Sequence, residues 1–474
     1  MSTSSDPDGL DPDVRRRVES YVTEWMSDDG VPGASVAVVE GADLRYAEGF
    51  GARDLADDRP ATPDTLYGIG SCTKSFVATA TLQRAAAGDL SLSDPVSDYL
   101  PHLDDAPGDP VTLAELLSHT SGMPSDGNLS ALVTRLTDIG DANVPLTSDA
   151  DFRRHVADSA DERYTAADHF FYYNTGFTLL GKVIEEVTGT DFPDYLREHV
   201  FDPLSMERSG FDPDAVAADD DRMTAYYETD DGWEEGSLGF AEAMDAPGGL
   251  VSSVTETSRH LRMLMGGGAF DGERVLPAEA VEEMTTPRVT RYETVGGTER
   301  EYGYGLSVQP FCGDTLVGHG GMMGTTTAFL GWLTDAEVGV VVACNTAPDH
   351  HPTVAGHAVL SILDGRDPHE AVGRLALERA ADAVVGEYES YRGVQTATVE
   401  REGTTLSVEV EGRLGDRSLT LFPEVTDDPT DPTYYAVDGD KRVTVEFVDG
   451  PDDGEGDGGT DMLLQRWRLH RRHE

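Results

Sequence analysis

The sequence predicts an α+β fold with a second, all-β domain at its carboxyl end. Strand patterns over residues 33–51 and 315–345 flank a middle part that is mostly helical in pattern. Strands at both ends with helices between them indicate a single sheet to which both ends contribute. Beyond residue 386, short alternating strands are separated by turns, which is typical of a small β-barrel or sandwich.

The first expected elements are a helix and a hairpin. An Asp-Pro pair at 11–12 opens the helix. One face of this helix would carry the apolar residues Val14, Val18, Val22 and Trp25. The segment GASVAVVEGADLRYAEGFG (33–51) then predicts a β-hairpin whose turn lies at Gly41 to Asp43.

The middle of the chain, about 74 to 290, shows helical patterns that are broken by long loops rich in Gly, Pro and Asp. Three strand patterns follow it, at 315–321, 324–333 and 336–345. Their short spacing predicts an antiparallel meander.

The carboxyl-terminal part changes character. The segment HEAVGRLALERAADAVV predicts a connecting helix, and the acidic stretch 449–461 is expected to be a loop without structure of its own. The expected division of the chain is a disordered tail over 1–11, a main domain over 12–365, a connecting helix over 366–385 and a small β-barrel-like domain over 386–474.

The charge balance is strongly acidic. The chain has 89 acidic and 35 basic residues, a formal charge of −54, and three lysines against 32 arginines. Such a charge disfavours binding to nucleic acid or to anionic membrane surfaces. A dense carboxylate surface is screened in concentrated salt, so the composition predicts a halophilic protein. An acidic, solvated surface with no such meaning is the alternative.

The cysteines and the amino-terminal sequence indicate in which cellular compartment the protein is expected. Three scattered cysteines, Cys72, Cys312 and Cys344, suggest no disulfide framework and favour a reducing compartment. The start MSTSSDPDGLDPD has neither the basic nor the apolar part of a signal peptide, and no run of 18 apolar residues occurs. We therefore expect a cytoplasmic protein without a membrane span.

The segment YGIGSCTKSFVATATLQ (67–83) carries a chemical pattern. Gly70 lets the chain turn and an apolar stripe starts a helix, so Ser71 would lie at the helix mouth with Lys74 one turn further on. A serine hydroxyl is a poor nucleophile until a neighbour accepts its proton. Burial and the helix N-terminus would both favour a neutral lysine, and backbone N–H groups there could stabilise an oxyanion. The pattern thus predicts a nucleophile and its base within one helical turn.

Other interpretations of these residue types are open. GIGSCTKS (68–75) is similar to a phosphate-binding P-loop, but Thr73 stands in place of the last glycine and the lead-in is turn-rich. Cys72 could be a thiol nucleophile, although no histidine partner is placed for it. The histidines of DHHPTVAGH (349–357) could hold a metal, although no paired cysteine or placed carboxylate accompanies them.

Two further segments complete a three-part pattern. FFYYNTGFTLLGKVIEEVTG holds Tyr172 and Asn174 at the entry of an amphipathic helix, and VGHGGMMGTTTAFLGW holds His319 on a strand edge. In the order Ser-x-x-Lys, Tyr-x-Asn, His-x-Gly, these residues resemble the motifs of the serine β-lactamase and penicillin-binding-protein superfamily. The resemblance is to its class C-like branch of esterases, D-amino-acid peptidases and carboxypeptidases. Segments such as LAELLSHTSGMP and YGYGLSV extend it over roughly residues 12 to 365.

The resemblance implies a role for each motif residue. Ser71 would be acylated, and Lys74 would help to remove its proton. Tyr172, as phenolate or as proton relay, would pass that proton to the leaving group and later activate water. Asn174 would hold Lys74 and the substrate amide. His319 stands where other branches have lysine, so that a substrate carboxylate would be held less strongly.

The resemblance also implies an oxyanion hole and a fold. The N–H of Ser71 and that of Met322, which follows Gly321 in the third motif, would form the oxyanion hole. The implied fold is an antiparallel five-stranded sheet with helices on both faces and a helical lobe beside the active site. No cofactor and no metal is implied, and the substrate would be a small molecule or a short peptide. The oligomeric state and the role of the terminal β-domain stay open.

These inferences favour a serine hydrolase that forms an acyl-enzyme on small esters or D-configured amides, with weak or no activity on β-lactams. A true β-lactamase and a D-alanyl-D-alanine carboxypeptidase share the same motifs and remain alternatives. A binding or scaffold protein of the same fold is an alternative from another class, but such a protein would not need Ser71, Lys74 and Tyr172 together.

Overall fold

The computed structural model describes residues 9–100, 103, 106–124, 148–165, 169–230, 232–412, 415–425, 428–450, 460–465 and 467–472. By its internal contacts the chain divides into two compact units, Met1–Tyr292 with Glu299–Asp364 and Glu293–Thr298 with Gly365–Glu474. Most of the tail expected to be disordered and most of the acidic loop expected at 449–461 lie outside the described residues. None of the helices in the described ranges combines the length and the hydropathy that crossing a bilayer requires.

The longest described strands before residue 350 belong to the central sheet. They are β1 (Gly33–Glu40), β2 (Asp43–Asp54), β3 (Arg59–Pro60), β4 (Tyr67–Gly68), β5 (Tyr226–Thr229), β6 (Gly232–Glu235), β7 (Val251–Ser252), β8 (Ala269–Phe270), β9 (Glu273–Arg274), β10 (Val289–Glu293), β11 (Glu299–Tyr302), β12 (Ser307–Phe311), β13 (Asp314–Met323), β14 (Thr326–Leu333) and β15 (Val338–Cys344).

The described helices of the first unit are α1 (Pro12–Asp28), α2 (Thr73–Ala87), α3 (Leu113–Leu117), α4 (Asp149–Ser159), α5 (Asn174–Thr188), α6 (Phe192–Leu196), α7 (Pro213–Ala218), α8 (Glu242–Gly248), α9 (Val254–Met265), α10 (Ala278–Thr285) and α11 (Pro352–Leu363). The first of them begins as predicted, since the Asp11 carboxylate accepts hydrogen bonds from the N–H groups of Asp13 and Val14.

The central sheet joins both ends of the main domain, as predicted. Its strand order is β10-β11-β12-β13-β14-β15-β1-β2-β3, and the pairing of β1 with β15 is antiparallel. Residues of β14 are buried along the whole strand because helices cover both faces of the sheet. Phe329 packs against Gly356 of α11 on one face, and Gly339 faces Leu261 of α9 on the other.

The sheet has nine strands, so the expected number of five is wrong. The predicted hairpin and meander are present as β1–β2 and β13–β14–β15. The hairpin of β10 and β11 was missed because four of the five residues of β10 are exposed, which leaves no apolar alternation to recognise. The two-residue strand β3 was missed because it pairs with β2 only after an irregularity in register at Ala52.

The second unit contains a closed antiparallel barrel, which confirms the predicted all-β domain. Its strands are β16 (Gly386–Glu389), β17 (Gln395–Glu402), β18 (Thr405–Gly412), β19 (Arg417–Glu424), β20 (Thr433–Asp438), β21 (Lys441–Asp449), β22 (Thr460–Leu464) and β23 (Trp467–Arg471). Pairing of β16 with β23 closes the barrel, so that neither of these strands is left as an edge. Alternate residues such as Val408, Leu421 and Val445 fill its interior.

The segment expected as one connecting helix forms two. They are α12 (Pro368–Ala371) and α13 (Gly373–Val384), with the extended residue Val372 between them. The Asp367 side chain caps the first helix, and Ala381 of the second packs into the barrel core. The predicted helical conformation is confirmed for most of the segment. The break at Val372 could not be predicted, because a single extended residue leaves no gap in the apolar pattern.

Candidate active site

Ser71 lies in a tight turn that precedes a buried helix. Gly70 has a φ of +54°, a conformation that glycine adopts at little cost, and begins the single 3₁₀ turn Gly70–Cys72 that leads into α2. The first ten residues of α2 are all buried, whereas Ser71 remains partly accessible. The turn thus presents one hydroxyl to solvent from the end of a fixed element, as the sequence predicted.

Lys74 lies directly beneath this hydroxyl. Its Nζ is 2.9 Å from Ser71 Oγ, 2.7 Å from Asn174 Oδ1 and 2.6 Å from the carbonyl oxygen of Pro247. The side chain is fully buried, and burial lowers the pKa of the amine well below its usual value. A neutral amine has two N–H donors and one lone pair. The amide oxygen and the carbonyl take the two donors, which leaves the lone pair for the serine hydroxyl.

Tyr172 and Asn174 reach the site from the start of α5. Lys74 Nζ is 4.8 Å from the centroid of the Tyr172 ring, and Asn174 is the first residue of the helix. Burial raises the pKa of Tyr172, while a hydrogen bond with Ser71 and the charge of Arg291 act in the opposite direction. The net direction favours the neutral phenol, so that of the two roles considered for Tyr172 the proton relay suits this environment better than the phenolate.

The backbone beside Ser71 makes an unusually close approach to β13. A Cβ atom added to Gly321 would lie 2.8 Å from Ser71 N, and one added to Gly70 would lie 2.2 Å from Met322 N. Only glycine at both positions allows the two segments to lie this close. The backbone of Ser71 and that of Met322 are therefore close together, and their N–H groups as an oxyanion hole stay a prediction.

His319 is buried beneath the cleft, and both ring nitrogens have protein partners. Nε2 is 2.9 Å from the Tyr302 hydroxyl, and Nδ1 contacts the Gly320 carbonyl oxygen. A carbonyl only accepts, so Nδ1 carries the proton and Nε2 accepts from the tyrosine. Burial, reinforced by Lys74, lowers the pKa of His319 to about 3. Its predicted contact with a substrate carboxylate stays a prediction, and it would be the contact of a neutral ring.

The cleft in front of Ser71 has a volume of about 760 Å³. Among the described residues that line it, Arg291 of β10 is the only lysine or arginine. Its guanidinium carbon is 6.0 Å from the centroid of Tyr172 and 5.6 Å from that of Phe170, and Nη1 is 3.4 Å from Ser307 Oγ. The sequence analysis missed Arg291, because one of 32 arginines in a polar segment carries no distinguishing pattern.

One backbone contribution was also missed, and a loop histidine has a bracing role. The Pro247 carbonyl that accepts from Lys74 is a backbone atom, which no residue pattern can identify. His119 accepts a hydrogen bond from the Tyr173 N–H at 3.0 Å, and its ring centroid is 4.4 Å from that of Tyr172. His119, in the LAELLSHTSGMP segment, therefore holds the backbone at Tyr173 and packs against the ring of Tyr172.

The competing interpretations receive little support from the geometry. Cys72 is buried, its Sγ is 3.1 Å from the His319 carbonyl oxygen, and burial raises the pKa of the thiol to about 12. The strand before the turn, β4, is two residues long and pairs antiparallel with β7, unlike the buried strand that leads into a P-loop. His350 is bonded to Asp29 and His351 to Thr353, and the described residues contain no group of three or more potential metal ligands.

Comparison with protein families gives two matches. Residues 15–363 match the beta-lactamase family model, and residues 368–470 match the model described as the Pab87 octamerisation domain. Together the two models cover most of the chain.

Individual proteins that are similar to this chain include penicillin-binding-protein-like and amidase structures. Protein flp of Staphylococcus aureus (strain MW2) is 28% identical over 203 residues, which are 42% of this chain and 39% of that protein. The chain therefore aligns with about two fifths of the length of this curated relative. The octameric penicillin-binding protein homologue from Pyrococcus abyssi is 32% identical, with a TM-score of 0.85 over 96% of this chain and 100% of that one. The D-amino acid amidase from Ochrobactrum anthropi SV3 is similar in fold, with 23% identity and a TM-score of 0.61 over 74% and 99% of the two chains.

Proposed function

The chain belongs to the beta-lactamase family, and from this premise we propose that it is a serine hydrolase that acts through an acyl-enzyme on small esters or D-configured amides and peptides. The observation that carries the proposal is the contact of the buried Lys74 amine with the Ser71 hydroxyl at 2.9 Å. Alternatives with the same machinery are a true β-lactamase and a D-alanyl-D-alanine carboxypeptidase.

The acylation step follows from the neutral amine. Lys74 accepts the Ser71 proton while Oγ attacks the substrate carbonyl carbon, and the negative charge moves to the carbonyl oxygen. The N–H groups of Ser71 and Met322 would donate to this oxyanion. When the intermediate collapses, the bond to the leaving alcohol or amine breaks, and the Tyr172 phenol gives its proton to the leaving group. Tyr172 is reprotonated from the Lys74 ammonium, which restores both groups.

Deacylation uses the same residues in reverse. A water molecule takes the place of the leaving group and, as it attacks the acyl carbon, gives one proton to the Tyr172 hydroxyl oxygen while that hydroxyl passes its own proton to the Lys74 amine. The second tetrahedral intermediate releases the acid and returns the proton to Ser71 Oγ. No separate glutamate base is assigned by the motifs, so turnover would depend on the two residues that also serve acylation.

The substrate preference is proposed from the charges around the cleft. Burial lowers the pKa of His319 to about 3, which removes a cation from the position where other branches have lysine. The exposed Arg291 supplies positive charge at the cleft instead. The similarity in fold to a D-amino acid amidase supports small D-configured amides as substrates. Weak activity, at most, on β-lactams is proposed because a neutral His319 stands where other branches have lysine.

We also propose a homo-oligomer in which the domain over 12–365 carries the chemistry and the domain over 386–474 carries assembly. The support is the match of 368–470 to an octamerisation domain and the similarity to a homologue from Pyrococcus abyssi that is described as octameric.

Labelling with a fluorophosphonate tests the hydrolase. The probe should modify Ser71, and Ser71→Ala should lose both labelling and turnover of p-nitrophenyl butyrate. Ser91→Ala, which alters an exposed serine, is the matched control and should behave as the wild type. Labelling that persists in Ser71→Ala or maps to Cys72 would refute the assignment. A folded wild type that neither labels nor hydrolyses any ester or amide would favour the scaffold alternative.

A further inference from the structure

The outer surface of the barrel carries an apolar patch on β19 and β20, which consists of Phe422, Tyr435 and Val437. Phe422 is 41% exposed and Val437 is 62% exposed, while Tyr435 is half-buried. Phe422 and Tyr435 are directly opposite each other in the strand register. Large side chains that stay exposed side by side are uncommon on a soluble surface and indicate a contact site.

The patch is also nearly neutral in charge. Among its neighbours with outward side chains, Ser418 and Thr420 lie on β19 and Thr444 lies opposite Tyr435 on β21. Two charged residues beside the patch, Arg442 and Glu424, form an ion pair with each other, and Asp438, which follows Val437, lies opposite Lys441 in the strand register. On a chain with a formal charge of −54, uncharged side chains and oppositely charged pairs reduce the repulsion that a second copy would meet here.

The patch side chains are held in place before any partner arrives. The ring centroids of Phe422 and Tyr435 are 5.8 Å apart, and the Arg442 guanidinium carbon is 4.1 Å from the centroid of Tyr435. The tilted ring contact and the cation–π contact restrict the rotamers of both aromatic side chains. A surface whose aromatic side chains are already ordered loses little entropy on binding, which is a property of interface hot spots.

We infer that this patch is a contact surface between copies of this chain, an inference that rests on the oligomer proposed above. The patch lies inside residues 368–470, the part that matches an octamerisation domain. Two copies that each carry strong negative charge repel each other, so copies can meet closely only where that charge is absent. In a two-fold contact the Arg442–Glu424 pair of one copy can also face the reversed pair of the other.

The experiment measures the mass of the full chain by size-exclusion chromatography with light scattering over a range of concentrations. The wild type should have a mass that is a multiple of 51.0 kDa. Phe422→Glu and Val437→Glu should each raise the dissociation constant of the assembly by about 30-fold or more, because each buries a charge in the contact. Tyr391→Glu is the matched control, since it adds the same charge at a residue of the second unit that is 74% exposed, and it should leave the mass unchanged.

Circular dichroism and hydrolysis of p-nitrophenyl butyrate on the same samples separate loss of assembly from loss of folding and from failure of the hydrolase proposal. An oligomeric Phe422→Glu or Val437→Glu would overturn the patch while leaving the oligomer intact. A wild type that is monomeric at every concentration would overturn both the patch and the oligomer. A wild type that assembles only when another protein or an apolar ligand is added would also overturn the inference, because the occupant would then not be a second copy.

Discussion

Two regions border the same cleft under opposite physical conditions. At the Ser71 turn, Lys74 is fully buried and its Nζ contacts three oxygen atoms at fixed distances. On β10, Arg291 is exposed and contacts ring faces and one serine hydroxyl at 3.4 Å. Burial lowers the pKa of an amine, and a neutral amine can accept the proton of a nucleophile. A guanidinium, in contrast, stays charged in proteins and can bind an anion. We therefore propose that this cleft keeps its bond-making groups buried and its charge-binding group exposed.

The largest effect is expected from the buried region. Tyr172→Phe should lower kcat by about 10²-fold or more, because the phenol is the proposed proton relay in both half-reactions. KM for a small ester should change little, since the ring remains. Steady-state kinetics on p-nitrophenyl butyrate measures both constants.

Tyr173→Phe is the matched control for this change. It removes the hydroxyl of the adjacent buried tyrosine, whose oxygen has no hydrogen-bond partner among the described residues. It should therefore keep a kcat close to that of the wild type. Equal losses in the two variants would mean that the phenol of Tyr172 acts through packing, and the assignment of chemistry to the buried region would break.

A smaller effect is expected from the exposed region. Arg291→Gln should raise KM by about 5-fold for an amide that carries a free carboxylate, which is the scale of an exposed ion pair. The value of kcat should change less than KM, because Arg291 is hydrogen-bonded to Ser307 and reaches Tyr172 only through a ring contact at 6.0 Å. KM for an uncharged ester should not rise in the same variant, because such a substrate has no carboxylate for Arg291 to bind.

Arg300→Gln serves as the control for Arg291. It removes a charge from the neighbouring strand β11, where the guanidinium donates to the Pro310 carbonyl oxygen at 2.8 Å and is not among the described residues that line the cleft. A drop in kcat for Arg291→Gln on the uncharged ester as large as that of Tyr172→Phe would show that Arg291 belongs to the catalytic group and would contradict the proposed separation.

The same contrast explains what could be predicted from the sequence. Ser71 and Lys74 lie one turn apart on a helix, and Tyr172 and Asn174 lie at the start of another, so local spacing already places them. The structure brings these four residues together as expected. Arg291 gave no signal because it lies on a hairpin with four exposed residues in its first strand. The tautomer of His319 depends on Tyr302 and on a carbonyl, and neither contact follows from spacing.

The fold shows the same limit. Hairpins such as β1–β2 were predictable because short turns fix their register. Closure of the barrel depends on the pairing of β16 with β23, whose residues Tyr388 and Arg471 are far apart in the sequence. No local pattern records that pairing, so the strand spacing alone is compatible with a barrel or a sandwich, and the predicted barrel-like domain is confirmed by the structure. The domain limits inferred from composition remain a prediction.

The smallest effect on kcat is expected from salt, because salt screens the charges of the exposed surface. Carboxylates crowded on a chain with a formal charge of −54 repel each other, and molar KCl screens charges beyond about 3 Å. The melting temperature should therefore rise steeply with KCl, as measured by scanning calorimetry. The buried Lys74–Ser71 contact at 2.9 Å is closed to salt, so kcat on an uncharged ester should stay constant over every KCl concentration at which the protein is folded. A melting temperature independent of KCl would contradict the halophilic interpretation of the composition. A kcat that varies with KCl in the folded protein would instead show that the surface charge reaches the buried site.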